Sequence, residues 1–132
     1  MSWRELVWPS IPASTLGFAA LEAAIEPILA LSPAAIFEHV SRYLDRLEPG
    51  VVARDFSSRR ATQAERRSGI LSFRPPSGVA ASDLVLELRA LGVFASMPDG
   101  LLRFAPHFPN DLSEIETVLG ALDEALARLR SR

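Results

Sequence analysis

The spacing of apolar residues constrains the fold most, because it alternates between helical and strand periodicity several times along this short chain. Helical spacing is found in residues 15–31, 33–47, 80–91 and in a last segment that begins at Asp111. Short β-prone runs lie between these segments, at residues 51–54, 70–73, 93–96 and 101–104. This order predicts an α+β fold in which helices cover a mostly antiparallel sheet.

Proline, glycine and serine mark the predicted helix ends. Ser32 suits an N-cap and Pro33 suits the first helical position that follows it. Pro49-Gly50 is typical of a helix end, so we expect the second helix to stop near residue 47. Gly92 stands where a C-terminal cap of the third helix is expected.

Two local patterns predict the C-terminal half in more detail. The residues Met97-Pro98-Asp99-Gly100 favour a type I turn, which would join strands 93–96 and 101–104 in a hairpin. Asp111 and Glu114 resemble a capping box at the start of the last helix.

The domain organisation follows from these elements. Residues 1–14 predict an extended arm that packs on another surface through its tryptophans. Residues 15–132 are expected to form one small α+β domain, with leading helices at 15–47 and the sheet with its helices at 51–132. The polar residues 55–67 predict a mobile loop.

Charge and composition exclude several classes of function. The formal net charge is -2 and the pI about 5.7, which does not favour nucleic acid or an anionic membrane as partner. Without cysteine the chain has no disulfides, thiolate metal sites or cysteine nucleophile, and we expect a cytoplasmic protein. No apolar run reaches the length of a membrane helix.

Lysine is absent from the chain, since all 14 basic residues are arginine. No side chain of this sequence can therefore form a Schiff base with an aldehyde cofactor. A free lysine amine is the usual anchor for such a cofactor, so we assign neither catalytic nor cofactor-binding residues to this chain.

Two segments resemble the class V aminotransferase family, which includes selenocysteine lyases, isopenicillin N epimerase-like proteins, kynureninases and cysteine desulfurases. They are RSGILSF at residues 67–73 and LLRFAPHFPN at residues 101–110. The family usually has serine at the position of Ala105 and tyrosine at that of Pro109. The resemblance covers only the C-terminal small domain of pyridoxal-phosphate enzymes of fold type I.

The resemblance implies one binding residue in this chain. The family's cofactor-binding lysine belongs to a large domain upstream of this region, whereas the small domain contributes an arginine that holds the substrate carboxylate. Arg103 is the matching residue, and a guanidinium can grip a carboxylate through two parallel hydrogen bonds.

Two functions remain open from the sequence. In one, a separately encoded large domain binds pyridoxal phosphate and this chain completes a split enzyme that acts on an amino acid. In the other, the chain is a non-catalytic module for binding or dimerisation. The resemblance attributes to desulfurases a catalytic cysteine before the arginine strand; the short turn here, without cysteine, looks more like the epimerase and kynureninase branches.

The remaining polar residues are interpreted as structural. His107 is expected to position the turn before the last helix, and His39 to lie at a helix surface. Two isolated histidines do not predict a metal site. We interpret the arginines at positions 59, 60, 66 and 67 as a solvated loop, because no aromatic residues lie among them.

Overall fold

The computed structural model describes residues 15–131, so the arm predicted for residues 1–14 lies outside the described part of the chain. The chain divides into two compact units, Met1–Ile36 and Phe37–Arg132, and each is described by itself. The assignment of residues 15–132 to one domain stays a prediction.

Helix α1 (Thr15–Leu31) is followed by Ser32 and by the start of α2 (Pro33–Val52). The Ser32 hydroxyl accepts a hydrogen bond from the Ala35 N–H at 3.3 Å, which confirms the predicted N-cap. Between residues 15 and 131, no single helix is long and apolar enough to cross a membrane. Only the pair Gly17–Leu31 and Pro33–Val52, which is bent, reaches that length and composition together.

The second unit contains a small antiparallel sheet. Its strands are β1 (Ser57–Ser58), β2 (Leu71–Arg74) and β3 (Leu102–Phe104), in the order β1-β2-β3 with both pairs antiparallel. Helices α3 (Ala81–Ala90) and α4 (Glu114–Arg130) complete the unit, together with the rest of α2. These elements confirm the predicted α+β class with an antiparallel sheet.

Alternation along the strands places the large apolar side chains on one face of the sheet. Leu71 and Phe73 of β2 and Leu102 of β3 are fully buried, and Phe104 is nearly so. The ring of Phe73 makes edge-to-face contacts with Phe56 and Phe104, at centroid distances of 6.3 and 6.2 Å. We call this side of the sheet the inner face.

Three helices supply the rest of the core through residues at helical spacing. The buried residues of these helices include Val40, Leu44, Leu47 and Val51 of α2, Leu84 and Leu88 of α3, and Ile115, Leu119, Leu122 and Leu126 of α4. The predicted apolar stripes of these helices are therefore confirmed for most positions, although Ile36, Leu91 and Val118 are only half-buried.

The predicted end of α2 is wrong, and residues 51–54 do not form a strand. The helix continues through Pro49 and Gly50 to Val52, and the Ala53 N–H donates to the Pro49 carbonyl at 3.0 Å. Val51 is fully buried in this extra turn. A Cβ on Gly50 would lie 2.5 Å from Cδ1 of Leu119, so glycine permits a close approach of α2 to α4. Tertiary packing thus overrides the local helix-ending signal.

The segment 55–67 was predicted as a loop, but it contains β1 and a 3₁₀ turn at Ala64–Arg66. Phe56 is buried beside Phe73 and holds the start of β1 in place. The Ser58 hydroxyl donates to Glu48 at 2.5 Å and links the strand to α2. The polar composition of this segment does not indicate these two contacts.

The predicted strand 93–96 is reduced to a single bridge between Ser96 and Arg103. Gly92, at φ +81, ends α3 as predicted: the Val93 N–H donates to Leu88 O at 2.8 Å, in the pattern of a Schellman motif. Because the Val93 N–H bonds to the helix, it is not available for strand pairing, and the predicted strand is shortened. The following turn is not type I, because Asp99 has φ 53.

The predicted capping box is also wrong. Helix α4 begins at Glu114, and its N-cap residue Ser113 makes no side-chain capping bond. Asp111 instead accepts from Ser113, whose side chain and, at 2.8 Å, backbone N–H both lower the pKa of the Asp111 carboxyl. Glu114 accepts from the Asn110 side chain at 3.1 Å rather than from the backbone of Asp111. The aspartate forms a local turn that delays the helix by two residues.

Candidate ligand-binding site

Arg103 lies in the middle of β3 with both backbone groups in use. It is paired with Ser72 of β2 on one side and with Ser96 on the other. The Arg103 N–H donates to Ser96 O at 2.8 Å, and the Ser96 N–H donates to Arg103 O at 3.1 Å. Pairing on both edges fixes the backbone from which this side chain extends.

The side chain of Arg103 is half-buried and has no acidic partner. It alternates with the buried Leu102 and Phe104, so it belongs to the face opposite the core, which we call the outer face. Among residues 15–131 no carboxylate forms an ion pair with it, and its Nε is buried without a hydrogen-bond partner. A partly desolvated cation with unused donors is suited to an anionic ligand.

Two further arginines share the outer face. Arg74 follows Ser72 by two residues on β2 and is exposed, so it lies on the same side as Arg103. The Arg59 N–H donates to Ser72 O at 2.9 Å, which continues the β1–β2 register and places Arg59 opposite Ser72. Arg74 is not among the residues predicted from the sequence, although the alternation in Leu71-Ser72-Phe73-Arg74 indicates its position.

The arginine of the inner face, Arg60, is paired with acidic side chains. Arg60 donates from one nitrogen to Asp45 at 2.6 Å and to Glu48 at 2.9 Å, and its side chain is 5% exposed. Burial lowers the pKa of Arg60, but the hydrogen bonds to Glu48 and Asp45 outweigh burial and raise it above its usual value. The interpretation of Arg60 as solvated is therefore wrong, because α2 provides two acids that its own loop does not contain.

Both histidines contact the loop that precedes α4. The His39 Nε2 lies 2.8 Å from the Asn110 carbonyl oxygen. The backbone N–H of His107 donates to the Asn110 side chain at 2.9 Å and closes the turn before α4, so the role predicted for the His107 side chain stays a prediction. Within the described part of the chain, no three histidine or acidic side chains converge in a way that could hold a metal ion.

A cavity of about 430 Å³ lies near the start of α4. Its walls include the aromatic rings of Tyr43, Phe94 and Phe104 and the polar side chains of Asn110 and Glu114. Burial, and then the charge of Glu114, raise the pKa of the Tyr43 hydroxyl. Arg103 does not line this cavity, so the cavity is separate from the outer face.

The residues present do not fit covalent binding of pyridoxal phosphate. An imine with this cofactor at an internal residue needs a lysine amine, and the chain contains no lysine. The outer face offers guanidinium groups, which remain charged and cannot act as that nucleophile. These groups can, however, form charge-assisted hydrogen bonds with an anion.

No protein-family model matches the chain, and no curated protein matches it. Solved structures of cysteine desulfurases do share its fold. The S-sulfonic acid form of the cysteine desulfurase CsdA from Escherichia coli superposes with a TM-score of 0.72 at 22% identity, over 84% of this chain and 30% of that one. The apo cysteine desulfurase from Thermococcus onnurineus NA1 gives 0.70 at 20% identity, over 79% of this chain and 29% of that one. The chain thus has the fold of a segment that makes up about a third of these larger proteins.

Proposed function

We propose that this chain is the small-domain half of a split pyridoxal-phosphate enzyme that acts on an amino acid. The observation that supports this most is Arg103, a half-buried arginine without an acidic partner on a fold shared with part of cysteine desulfurases. A separately encoded large domain would supply the lysine and the cofactor. We also propose that this reaction takes place in the cytoplasm.

The role of Arg103 in the complex would be to bind and orient the substrate carboxylate. Its planar guanidinium can form two parallel hydrogen bonds with a carboxylate, which fixes direction as well as distance. The paired backbone of β3 keeps the origin of the side chain constant. Holding the carboxylate in register leaves the rest of the substrate positioned for the partner's chemistry.

The absence of cysteine limits the reaction of the proposed complex. The resemblance attributes a catalytic cysteine to desulfurases, on the loop before the arginine strand. Here that connection is the short turn at Pro98–Gly100, and the chain has no cysteine anywhere. We therefore propose an amino-acid reaction that needs no thiol from this chain.

The test begins with any lysine-bearing large domain encoded beside this chain, purified alone and together with it. We expect an amino acid to change the absorbance of the bound cofactor only when both chains are present, because the large domain alone lacks Arg103 and this chain alone lacks the cofactor. Arg103→Lys should weaken amino-acid binding about ten- to a hundredfold, because the charge remains while a charge-assisted hydrogen bond is lost. Arg46→Lys is the matched control, since Arg46 is exposed on α2.

Two results would contradict the proposal. A large domain that is fully active without this chain leaves the alternative, a module for binding or self-association. An Arg103→Lys complex that binds amino acids as tightly as the unaltered complex removes the role of Arg103.

The chain without its partner provides a second test. After treatment with pyridoxal phosphate and borohydride, peptide mapping should find no reduced adduct at an internal residue, because only the N-terminal amine can form an imine. An adduct at a defined internal site would show that the chain holds the cofactor by itself.

A further inference from the structure

The outer face of the sheet concentrates positive charge without compensation. Arg59, Arg74 and Arg103 all lie on this side, and none of them forms an ion pair with an acid among residues 15–131. The other residue between them is Ser72, which carries no charge. One carboxylate would neutralise only part of this group.

The spacing of the three arginines follows from the register. Arg59 and Arg103 flank Ser72 on the two neighbouring strands, so their Cα atoms are about 10 Å apart, which is two strand spacings. Arg74 is the diagonal neighbour of both, at roughly 7–8 Å, a distance that long side chains bridge. The three guanidinium groups can therefore reach different ends of one small molecule.

From this arrangement we propose that the outer face selects an amino acid with a second acidic group. The inference rests on the proposed function, in which Arg103 holds the α-carboxylate. Arg74 and Arg59 then bind the acidic group of the substrate side chain. The substrate class is an acidic amino acid, whose second group is a carboxylate or a phosphate.

The contrast with Arg60 supports a ligand role rather than a chance cluster. Where this protein uses an arginine for structure, it supplies two acids, Asp45 and Glu48, from α2. Arg60 and Arg103 each have a buried Nε without a hydrogen-bond partner, but of the two only Arg60 is paired with acids among residues 15–131. Two acidic groups on one ligand would counter the charge of more than one of these arginines.

The test uses the full 132-residue chain, labelled with ¹⁵N and titrated with amino acids while the arginine Nε–H signals are followed. L-Alanine reports on the α-carboxylate alone, whereas L-aspartate, L-glutamate and O-phospho-L-serine carry a second acidic group. We expect at least one of the diacids to bind about tenfold more tightly than alanine, and the carboxylate and phosphate arms to distinguish the second group. Arg59→Gln and Arg74→Gln should each reduce this preference, because they weaken diacid binding more than they weaken alanine binding. Arg46→Gln, which removes one charge from exposed α2, should alter neither.

The outcomes separate the two proposals. If alanine shifts the Arg103 signal but no diacid binds more tightly, the second acidic site is wrong and the role of Arg103 stands. The same conclusion follows if Arg59→Gln and Arg74→Gln leave the preference intact. If no amino acid shifts the Arg103 signal, carboxylate binding by Arg103 fails, and the second acidic site fails with it.

Discussion

The two faces of the sheet have opposite chemistry, although alternating residues of the same strands make both. The inner face buries Leu71, Phe73 and Leu102 and pairs its arginine, Arg60, with acids of α2. The outer face carries Arg74 and other arginines that form no ion pair with an acid among residues 15–131. The two faces thus differ in whether the described residues supply acids for their arginines. Stability and ligand binding should respond to different substitutions, even at adjacent positions.

The largest effect is expected at Phe73. Its ring is fully buried and contacts Phe56 and Phe104, so Phe73→Ala should lower the free energy of unfolding by about 3–5 kcal/mol. Ser72→Ala, one residue away on the outer face, should change it by less than about 0.5 kcal/mol. Urea denaturation of both variants checks this. Equal losses would show that the two faces do not differ in stability as proposed.

A smaller loss is expected at Arg60. Arg60→Met removes two charge-assisted hydrogen bonds and leaves Asp45 and Glu48 without this partner. Because Asp45 is 53% exposed and water compensates it, we expect a loss of about 1.5–3 kcal/mol in the free energy of unfolding. Arg59→Met is the neighbouring control and should have almost no effect. If Arg60→Met left the free energy of unfolding unchanged, Arg60 would contribute as little to stability as is expected for the outer-face arginines.

The stability of the chain should depend on pH through the acids that pair with arginines. Arg54 donates to both carboxylate oxygens of Asp123, at 2.7 and 2.6 Å, and this lowers the pKa of Asp123. The stabilisation is therefore present above the ordinary Asp pKa, near ~3.9, and is lost as the pH falls through the lowered value. Because Asp123 is 58% exposed, solvent screening keeps it below about 1 kcal/mol.

The measurement compares unaltered chain with Asp123→Asn by urea denaturation between pH 7 and pH 2. Their difference in stability should disappear at the acid end. For Arg74→Gln the difference from the unaltered chain should not change over this range, since no acid is paired with Arg74. A pH-dependent difference for Arg74→Gln would reveal a carboxylate partner on the outer face.

The smallest effect on stability is expected at Arg103. Arg103→Lys keeps the charge, and no ion pair among residues 15–131 is lost. The free energy of unfolding, measured by thermal denaturation, should therefore change by no more than about 0.5 kcal/mol. A large destabilisation without any ligand would make Arg103 structural. That result would remove the difference between the two faces at its central residue.

Local patterns were sufficient to predict much of the fold. Strand β2 was found from Ile70-Leu71-Ser72-Phe73 within one residue, and the Gly92 cap follows from the need for a positive φ. The end of α2 could not be found locally, because it depends on Leu119, which lies far along the chain. The segment 55–67 was misjudged for a similar reason, since Glu48 and Phe73 hold β1 in place.

The candidate site was predictable in part. Arg103 was selected through a resemblance, and the alternation of β3 alone places it opposite Leu102 and Phe104. The difference between Arg59 and Arg60 could not be read from two adjacent, identical residues. It depends on how β1 lies against α2 and against Ser72, which only the three-dimensional register shows.

The contact between Gly50 and Leu119 has a consequence for how this sequence can diverge. Any side chain at position 50 would meet the leucine methyl groups, with 2.5 Å between the new Cβ and Cδ1. Gly120, by contrast, has nothing within 4 Å of its Cβ position and is free to change. In descendants of this chain, replacement of Gly50 should therefore be accompanied either by a shift of the Leu119 side chain or by a smaller residue at 119. Positions 50 and 119 should covary, whereas position 120 should drift independently of both.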